Sequence, residues 1–391
     1  MNLGFYYHLP LYSTKDGIKI PAYLGVFLDY LAQEVTSLIL FLHEAKINEI
    51  IYCDYTLKSN NIRFFSLGPK TPSWDRFLRP GKTLRKLRNA IYQCDVVLVR
   101  APSPLAPFFY RYYHSQTNIC YLVVGDYRVG SDYLSLPFFK NIAGKFLNIR
   151  NDRQLKTVIR KSLTLVNSTE LYEKYKDSVP RLFKVRTTTI SQADFYVRSD
   201  TCLGNEINIL YTGRLDMAKG LKELIQSISI LRTENFNVQL HLVGWEENSG
   251  KPVEKILHSH AIEYGVSQHV FFHGRKAMGA ELNYFYRNSD IYTIPSYHEG
   301  FPRSIWEAMA NGLPVIASNV GSIKSFVGDS AILIEPKKVA ELVSAVKILL
   351  FNPIKRRELI AAGYSRAKEN ILEIRVKEMS DIIKNIYPAK D

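Results

Sequence analysis

The fold of this chain is decided by one stretch, residues 295–312, which reads Pro-Ser-Tyr-His-Glu-Gly-Phe-Pro-Arg-Ser-Ile-Trp-Glu-Ala-Met-Ala-Asn-Gly. A short apolar run from Asp290 to Ile294 precedes it and predicts a buried strand. Gly300 and Pro302 keep the loop after that strand from becoming helical, because glycine weakens a helix and proline lacks a backbone donor. The stretch therefore begins as a strand that ends in a loop.

A short helix follows this loop. We expect it to run from Ile305 to Asn311 with Ser304 as its cap, because a serine hydroxyl accepts a free backbone N–H of the first turn. Gly312 ends the helix, as glycine commonly does after a last turn. An apolar strand from Pro314 to Ala317 comes next, so the stretch predicts a strand–loop–helix–strand unit of the α/β kind.

The start of this helix has the chemistry of a phosphate site. A helix N-terminus after a glycine-containing loop offers unpaired N–H groups and the positive end of a dipole. Carboxylates would repel a phosphate, so Glu299 and Glu307 suit the neutral hydroxyls of a sugar ring and of a ribose on either side of it. These residues predict a site for a nucleotide diphosphate sugar.

The same stretch resembles the donor-site motif of the retaining, family-four (group 1) glycosyltransferases. That motif has two glutamates with seven residues between them, as Glu299 and Glu307 have here. The surrounding residues that also match are Ala308, Met309, Ala310, Gly312, Pro314 and Val315. The resemblance implies the GT-B fold, an α/β architecture of two doubly wound, Rossmann-like domains that face each other across a cleft.

The resemblance also assigns roles to residues outside the stretch. Arg214 and Lys219 lie in a G-R-L-x-x-x-K-G pattern that is similar to the motif with which the family binds the donor diphosphate. The planar guanidinium of an arginine and the charge of a lysine together neutralise two phosphates well. Gly274 and Arg275 correspond to a loop that holds the nucleotide base. The full set of expected donor-binding residues is Arg214, Lys219, Gly274, Arg275, Glu299, Gly300, Phe301, Pro302, Arg303, Ser304 and Glu307.

The first half of the chain matches the family less closely. Many retaining relatives carry a histidine in the loop that Gly125 and Asp126 occupy here, so Asp126 is a candidate to accept a sugar hydroxyl or the proton of the acceptor. Its alternative role is that of a turn aspartate that caps its own loop. The expected catalytic residues are then Glu299, Asp126, Arg214 and Lys219.

The length of 391 residues fits two domains of ordinary size. We expect an acceptor-binding domain over residues 1–195, a donor-binding domain over residues 196–365, and a C-terminal helix over residues 366–391 that returns to the first domain. The first domain opens with a predicted strand from Leu3 to Tyr7. Helical spacing follows from Val26 to Leu42.

Composition and short motifs indicate which classes of protein, which cofactors and which location to expect. Hydrophobic residues make up 46% of the chain, too many for a disordered protein, and none of the four cysteines forms a C-x-x-C pair. No D-x-D sequence is present, so we expect neither a cofactor nor a metal that bridges the diphosphate. The absence of a recognisable signal peptide and of a disulfide pattern favours a cytoplasmic location.

The formal charge of +14 raises the question of an anionic partner. Basic residues concentrate at Lys82 to Arg88 and at Arg150 to Lys161. They form either a solvated face or a surface that docks on the inner side of an anionic membrane. A nucleic-acid partner is not expected, because Lys82 to Arg88 lacks the interleaved aromatic residues of such a site.

The resemblance predicts a retaining enzyme that moves a sugar from a nucleotide diphosphate to a hydroxyl of a glycan or lipid-linked acceptor. Members of the family with this composition usually build cell-surface polysaccharide or lipopolysaccharide. Two alternatives stay open. One is a nucleotide-sugar epimerase, and the other is a non-catalytic GT-B subunit that binds a donor or a partner.

Overall fold

The computed structural model describes residues 1–15, 17–125, 138–246, 250–300 and 302–388. The chain forms two compact units, of which unit 1 comprises residues 1–187 and 373–391 and unit 2 comprises residues 188–372. Unit 2 is thus an insertion into the chain of unit 1. Its two ends meet, because the Leu372 N–H donates to the Ile190 carbonyl at 2.8 Å.

Unit 1 is built on a largely parallel sheet. Its strands are β1 (Asn2–Thr14), β2 (Gly17–Ile20), β3 (Ser37–Glu44), β4 (Tyr55–Thr56), β5 (Ile62–Pro69), β6 (Val96–Ala101), β7 (Asn118–Val123), β8 (Leu163–Val166) and β9 (Leu182–Lys184). The parallel order is β5-β3-β1-β6-β7-β8-β9, and β2 and β4 add an antiparallel extension to β1. Strand order reverses between β3-β1 and β6, as in doubly wound sheets.

The helices of unit 1 connect these parallel strands. They are α1 (Ala22–Gln33), α2 (Ser73–Leu78), α3 (Pro80–Leu84), α4 (Arg88–Ile91), α5 (Ala106–Tyr113), α6 (Phe138–Ile159) and α7 (Thr169–Tyr175). Parallel strands need such crossovers, and helices on a parallel sheet bury its faces.

One sequence expectation for unit 1 is wrong. The run from Val26 to Leu42, expected to be helical, is the end of α1 followed by β3. Seven of the eight residues of β3 are buried, and a parallel strand buried on both faces has a continuous apolar sequence that periodicity cannot tell from a buried helix. After β3, a 3₁₀ helix spans Ile47–Tyr52.

Unit 2 contains a fully parallel sheet. Its strands are β10 (Ile207–Arg214), β11 (Val238–Trp245), β12 (Val270–Gly274), β13 (Ile291–Ile294), β14 (Val315–Ser318) and β15 (Ile332–Ile334), in the order β12-β11-β10-β13-β14-β15. Ile209 and Tyr211 belong to one hydrophobic cluster and Leu210 to another, so both faces of the sheet are covered. The order reverses between β10 and β13, where open α/β sheets bind ligands at the carboxyl ends of the strands.

The helices that follow complete unit 2 and return to unit 1. They are α8 (Leu221–Thr233), α9 (Pro252–Glu263), α10 (Ala280–Arg287), α11 (Arg303–Ala310), α12 (Ile323–Val327), α13 (Val339–Phe351), α14 (Pro353–Lys368) and α15 (Leu372–Ile386). Glu373 of α15 accepts a hydrogen bond from the Tyr30 hydroxyl of α1 at 3.1 Å. Within the described residues, no helix combines the length and the apolar character that spanning a membrane requires.

Helix α11 begins two residues earlier than expected. Pro302 precedes its first residue, and Ser304 lies inside the first turn and does not cap it. The Ser304 hydroxyl instead makes a hydrogen bond with the Tyr292 hydroxyl. The predicted end of the helix is confirmed, because Gly312 adopts a left-handed φ of 68° and its N–H donates to the Met309 carbonyl at 3.0 Å.

Candidate functional site

The loops after β10 and β13 meet where the strand order of unit 2 reverses. Gly220, which has a φ of 66°, lies so close to the second loop that a Cβ there would be 2.1 Å from the Pro295 carbonyl oxygen. The Tyr297 N–H donates to the Ala218 carbonyl at 2.8 Å. Glycine is required at residue 220 both for this conformation and for this close approach.

An ion pair joins the two loops. The Lys219 Nζ donates to the Glu299 Oε1 at 2.6 Å, and the Ser296 Oγ donates to the same oxygen at 2.7 Å. Glu299 is 8% exposed, so the pair is largely shielded from water and its Coulomb energy is less screened than at the surface. The structure thereby brings together two of the side chains that the sequence assigned to the donor.

A short turn positions the lysine. Asp216 accepts the Ala218 N–H at 2.9 Å and so caps the 3₁₀ helix Met217–Lys219. Because Lys219 is the last residue of that helix, its backbone is fixed on one side by this cap and on the other by Gly220. Both Asp216 and Gly220 are therefore positioning residues for the ammonium group.

The second glutamate of the motif is held by two hydroxyl groups. Glu307, in α11, accepts from the Thr189 Oγ1 at 2.7 Å through Oε1 and from the Tyr286 hydroxyl at 2.9 Å through Oε2. Burial raises the pKa of Tyr286 well above its usual value, and the charge of Glu307 raises it further. Tyr286 therefore stays protonated and acts as the donor to the carboxylate.

This hydrogen-bond chain continues beneath the site. The Tyr286 hydroxyl is 2.7 Å from the Thr212 Oγ1, which is 3.3 Å from the Tyr292 hydroxyl. Because the Tyr286 hydroxyl donates its hydrogen bond to Glu307, the Thr212 hydroxyl is the donor to the Tyr286 oxygen. The chain ends at Ser304, and it ties the first turn of α11 to the sheet.

The other predicted donor-binding residues lie at the same carboxyl edge of the sheet or close to it. Arg214 is the exposed last residue of β10, and Gly274 is the last residue of β12. The Arg275 guanidinium lies 5.8 Å from the centre of the Trp245 ring, at the end of β11. Arg303 and Ser304 form the first turn of α11, preceded by Pro302, and Gly300 is exposed in the loop before it. Asp126 and Phe301 lie outside the described residues.

Sequence reasoning missed the residues that hold the two glutamates. Ser296 is three residues before Glu299, so its role was detectable within the motif itself. Thr189 is 118 residues from Glu307, and no local pattern connects them. Tyr286 is a fully buried aromatic residue, and its hydroxyl donates to Glu307.

A pair of histidines lies on the side of the sheet that carries Gly274. The His241 Nε2 is 2.9 Å from the Asn208 Oδ1, and its Nδ1 is 2.9 Å from the His273 Nε2. When both rings are neutral, His241 can donate through Nε2 to the amide oxygen and accept through Nδ1 from the His273 Nε2–H. Burial and the neighbouring His241 lower the pKa of His273 to about 4, and burial also lowers the pKa of His241.

This pair predicts that unit 2 loses stability in mild acid. Below the unfolded pKa of about 6.5 the unfolded chain takes up protons that the folded chain does not, so the free energy of unfolding falls until the pH reaches about 4. For the partly exposed His273 we expect a loss of about 1 kcal/mol between pH 7 and pH 5. His273→Gln keeps a donor to His241 and removes one titrating group, so its urea midpoint should fall less than that of the wild type. Equal falls in both proteins would refute this assignment.

Among the described residues, no group of three or more histidine, cysteine, aspartate or glutamate side chains is arranged to hold a metal ion. The expectation that the diphosphate needs no metal remains a prediction.

Comparison with known proteins agrees with the resemblance seen in the sequence. The family model "Glycosyl transferases group 1" matches residues 198–366. The chain is 30% identical over 321 residues to Protein CapJ of Staphylococcus aureus, which covers 79% of this chain and 78% of that protein. It is 27% identical over 165 residues to the O-antigen chain mannosyltransferase B of Escherichia coli, a match that covers 41% of each chain.

A solved structure extends this similarity to the whole chain. Sucrose-phosphate synthase from Thermosynechococcus elongatus superimposes with a TM-score of 0.76 at 19% identity and covers 100% of both chains. The fold of this chain, with its two α/β units built on parallel sheets, is GT-B. The chain belongs to the group 1 glycosyltransferases, and the family resemblance predicted from residues 295–315 is confirmed.

Proposed function

We propose that this chain is a retaining glycosyltransferase that moves a sugar from a nucleotide diphosphate sugar to a hydroxyl of a glycan or lipid-linked acceptor. The observation that carries the proposal is the shielded ion pair between Lys219 and Glu299 at the point where the strand order of unit 2 reverses. This is where an open α/β sheet binds its ligand, and the pair offers a cation and a carboxylate side by side. A diphosphate next to a sugar presents the complementary groups.

In the proposed reaction the bond between the anomeric carbon and the diphosphate oxygen breaks, and the oxygen of the acceptor hydroxyl bonds to the anomeric carbon on the same face. The hydroxyl proton passes to the leaving diphosphate. Positive charge develops on the ring and negative charge on the leaving diphosphate. Lys219, Arg214 and the N–H groups of the first turn of α11 would stabilise the negative charge. These groups are fixed before the reaction, so little reorganisation would oppose it.

The two glutamates would act mainly by positioning. Glu299 would accept hydroxyls of the transferred sugar, with Ser296 fixing its carboxylate. Glu307 would accept the ribose hydroxyls, and Gly274 and Arg275 would lie beside the base. Asp126 stays a candidate for the acceptor side of the reaction.

We further propose that the reaction needs no metal, that the protein works in the cytoplasm, and that its basic surface meets the inner face of a membrane. The role in polysaccharide or lipopolysaccharide synthesis is supported by the similarity to a relative that is named for the O-antigen chain. The lipid-linked acceptor belongs to the same proposal. The charge of +14 is consistent with an anionic surface as partner.

Thermal stabilisation by a panel of UDP-, GDP- and ADP-sugars tests the donor site. A ligand at 100 times its dissociation constant should add about 2.7 kcal/mol of stability. We expect one nucleotide class to do so for the wild type, and Glu307→Gln to need at least about tenfold more ligand because one charged acceptor of ribose is lost.

Glu234→Gln is the matched control, because Glu234 is a glutamate of unit 2 that pairs with Lys347 at the surface. It should respond to the donor like the wild type. If no nucleotide sugar stabilises the wild type, the donor site is refuted and the non-catalytic alternative is favoured. Release of epimerised nucleotide sugar without any acceptor would favour the epimerase.

A further inference from the structure

The sheet of unit 1 has its own cluster of polar groups where its strand order reverses. His8 lies within β1, His43 is near the end of β3, and Arg100 is near the end of β6. In the pairing of β1 with β3, Pro10 lies opposite His43, and His8 is in the irregular stretch just before Pro10. Arg100 lies over the ring of Tyr7, next to His8, and the Gly68 carbonyl that contacts His43 is two residues before Lys70. The charges of Lys70 and of Arg76 in α2 act on both histidine rings. The five side chains therefore lie close together at one edge of the sheet, and we call them the unit 1 cluster.

Two members of the unit 1 cluster are deeply buried and incompletely paired. Arg76 is 3% exposed and donates through Nε to the Thr71 carbonyl at 3.0 Å and through Nη2 to the Ser73 Oγ at 3.3 Å, but its Nη1 has no partner among the described residues. His43 is 1% exposed, and its Nδ1 is 3.2 Å from the Gly68 carbonyl. Its Nε2 likewise has no partner within the described part of the chain.

Two more unpaired nitrogens belong to the same cluster. The Arg100 guanidinium lies 4.7 Å from the centre of the Tyr7 ring, which orients it, and its buried Nε finds no acceptor among the described residues. The buried Nδ1 of His8 also has no hydrogen-bond partner among the described residues. Buried polar atoms are nearly always paired, and each one left alone costs about 1–3 kcal/mol, so four at one place indicate a ligand or bound water.

The charge of the unit 1 cluster indicates which ligand fits. Lys70, Arg76 and Arg100 contribute three positive charges, and Glu49, which lies 3.7 Å from the Lys70 Nζ, is the carboxylate that acts on Arg76 and His43 within the described residues. Burial lowers the pKa of His8 to about 3 and that of His43 to about 4, with further lowering by the neighbouring cations. The surplus positive charge calls for an anion.

The two arginines favour a phosphoryl group in particular. An arginine presents a planar fork of donors that matches phosphate oxygens, and a buried cation gains most from an anion that replaces its lost water. His43 adds a second requirement. Its Nδ1 donates to the Gly68 carbonyl, so its Nε2 is an acceptor, and a hydroxyl or a protonated phosphate oxygen of the ligand would satisfy it.

We propose that unit 1 binds a phosphoryl group of the acceptor between Arg76 and Arg100, with Lys70, His8 and His43 around it. The acceptor is then a phosphate ester, either a soluble sugar phosphate or a sugar diphosphate carried on a lipid. This inference rests on the proposed function, since it names the acceptor of that reaction. The soluble and the lipid-linked acceptor would present the same phosphoryl group to the site, and the experiment below distinguishes them.

The test uses the full-length chain and measures thermal stabilisation by four probes: inorganic phosphate, pyrophosphate, a hexose phosphate, and a lipid-linked sugar diphosphate in detergent micelles. We expect at least one of the two esters to stabilise the wild type. Arg100→Gln should weaken that binding about tenfold or more, because a charge-assisted hydrogen bond is lost. Arg76→Gln should weaken it similarly, and if this variant does not fold, Arg100→Gln decides alone.

Arg88→Gln is the matched control. Arg88 also belongs to unit 1 and lies 5.4 Å from the centre of a tyrosine ring, that of Tyr92, but it is exposed. This variant should bind the ester like the wild type. Equal binding by all variants would overturn the proposal, as would stabilisation by free phosphate with neither ester competing. A response to the hexose phosphate identifies a soluble acceptor, and a response to the micellar probe alone identifies a lipid-linked one.

A parallel titration with the nucleotide sugar keeps the two proposals apart. Arg100→Gln should leave donor stabilisation unchanged, because Arg100 belongs to unit 1 and the donor residues belong to unit 2. If the donor binds and no phosphate ester does, only the acceptor inference fails. If esters bind and no nucleotide sugar does, the proposed donor function fails and the anion site of unit 1 stands.

Discussion

Replacement of Lys219 by alanine is expected to lower sugar transfer about 100-fold or more. The proposed leaving group is a diphosphate, and removal of one fixed group that stabilises developing negative charge typically lowers turnover by about 100- to 1,000-fold. The measurement is turnover with saturating donor, together with the affinity for the nucleoside diphosphate product. Lys347→Ala, a lysine paired with Glu234 at the surface of unit 2, should retain wild-type values.

The Lys219→Ala variant also leaves the buried Glu299 without its cation. The effect of that unpaired charge must be separated from the loss of a phosphate ligand. The double variant Lys219→Ala with Glu299→Gln removes the unpaired charge. A nucleoside diphosphate has no transferred sugar, so Glu299 is not needed to bind it. If Lys219 holds the diphosphate, affinity for the nucleoside diphosphate stays low in the double variant. If affinity returns to the wild-type value, Lys219 serves only to neutralise Glu299.

Replacement of Gly220 by alanine is expected to destabilise unit 2 by about 3 kcal/mol. A left-handed conformation costs a residue with a Cβ about 1–2 kcal/mol, and forcing an extra carbon into a packed site costs about 1–3 kcal/mol more. The new Cβ would be 2.1 Å from the Pro295 carbonyl oxygen, so the two loops must separate. We expect this movement also to break the pair between Lys219 and Glu299 and to weaken donor binding.

The matched control for this prediction is Gly265→Ala. Gly265 has nearly the same φ, 67°, and a Cβ there would meet nothing within 4 Å. It should show the conformational cost alone, about 1–2 kcal/mol, with normal donor binding. Urea unfolding of both variants measures the difference, and a Gly220→Ala variant as stable as Gly265→Ala would contradict the close packing of the two loops.

The sequence was most informative where local chemistry leaves few choices. In unit 2 the apolar runs are short and are bounded by glycine or proline, so β13, α11 and β14 could be placed to within about two residues. The order Arg214, Lys219, Glu299, Glu307 along the chain was sufficient to recognise the family. Its two central members, Lys219 and Glu299, are in contact in the structure.

The sequence was least informative where long-range packing decides. The apolar spacing predicts a helix where β3 lies, because full burial removes the alternation that identifies a strand. Ser304 was expected to cap α11, but a partner across the sheet, Tyr292, holds its hydroxyl instead. The unit 1 cluster was invisible for the same reason, since His8, Arg76 and Arg100 are far apart in sequence and meet only when the parallel strands align.

The hydrogen bond between Leu372 and Ile190 has a consequence for how such chains diversify. It places the first and the last residues of unit 2 side by side in space, so this unit is an insertion with two neighbouring ends. Closely spaced ends are what allow one domain to be exchanged inside another without disturbing its host. Recombination at residues 188 and 372 would transfer all the proposed donor-binding residues together, with Thr189, which holds Glu307. If unit 1 selects the acceptor, as we propose, such a recombinant would transfer a different sugar to the same acceptor.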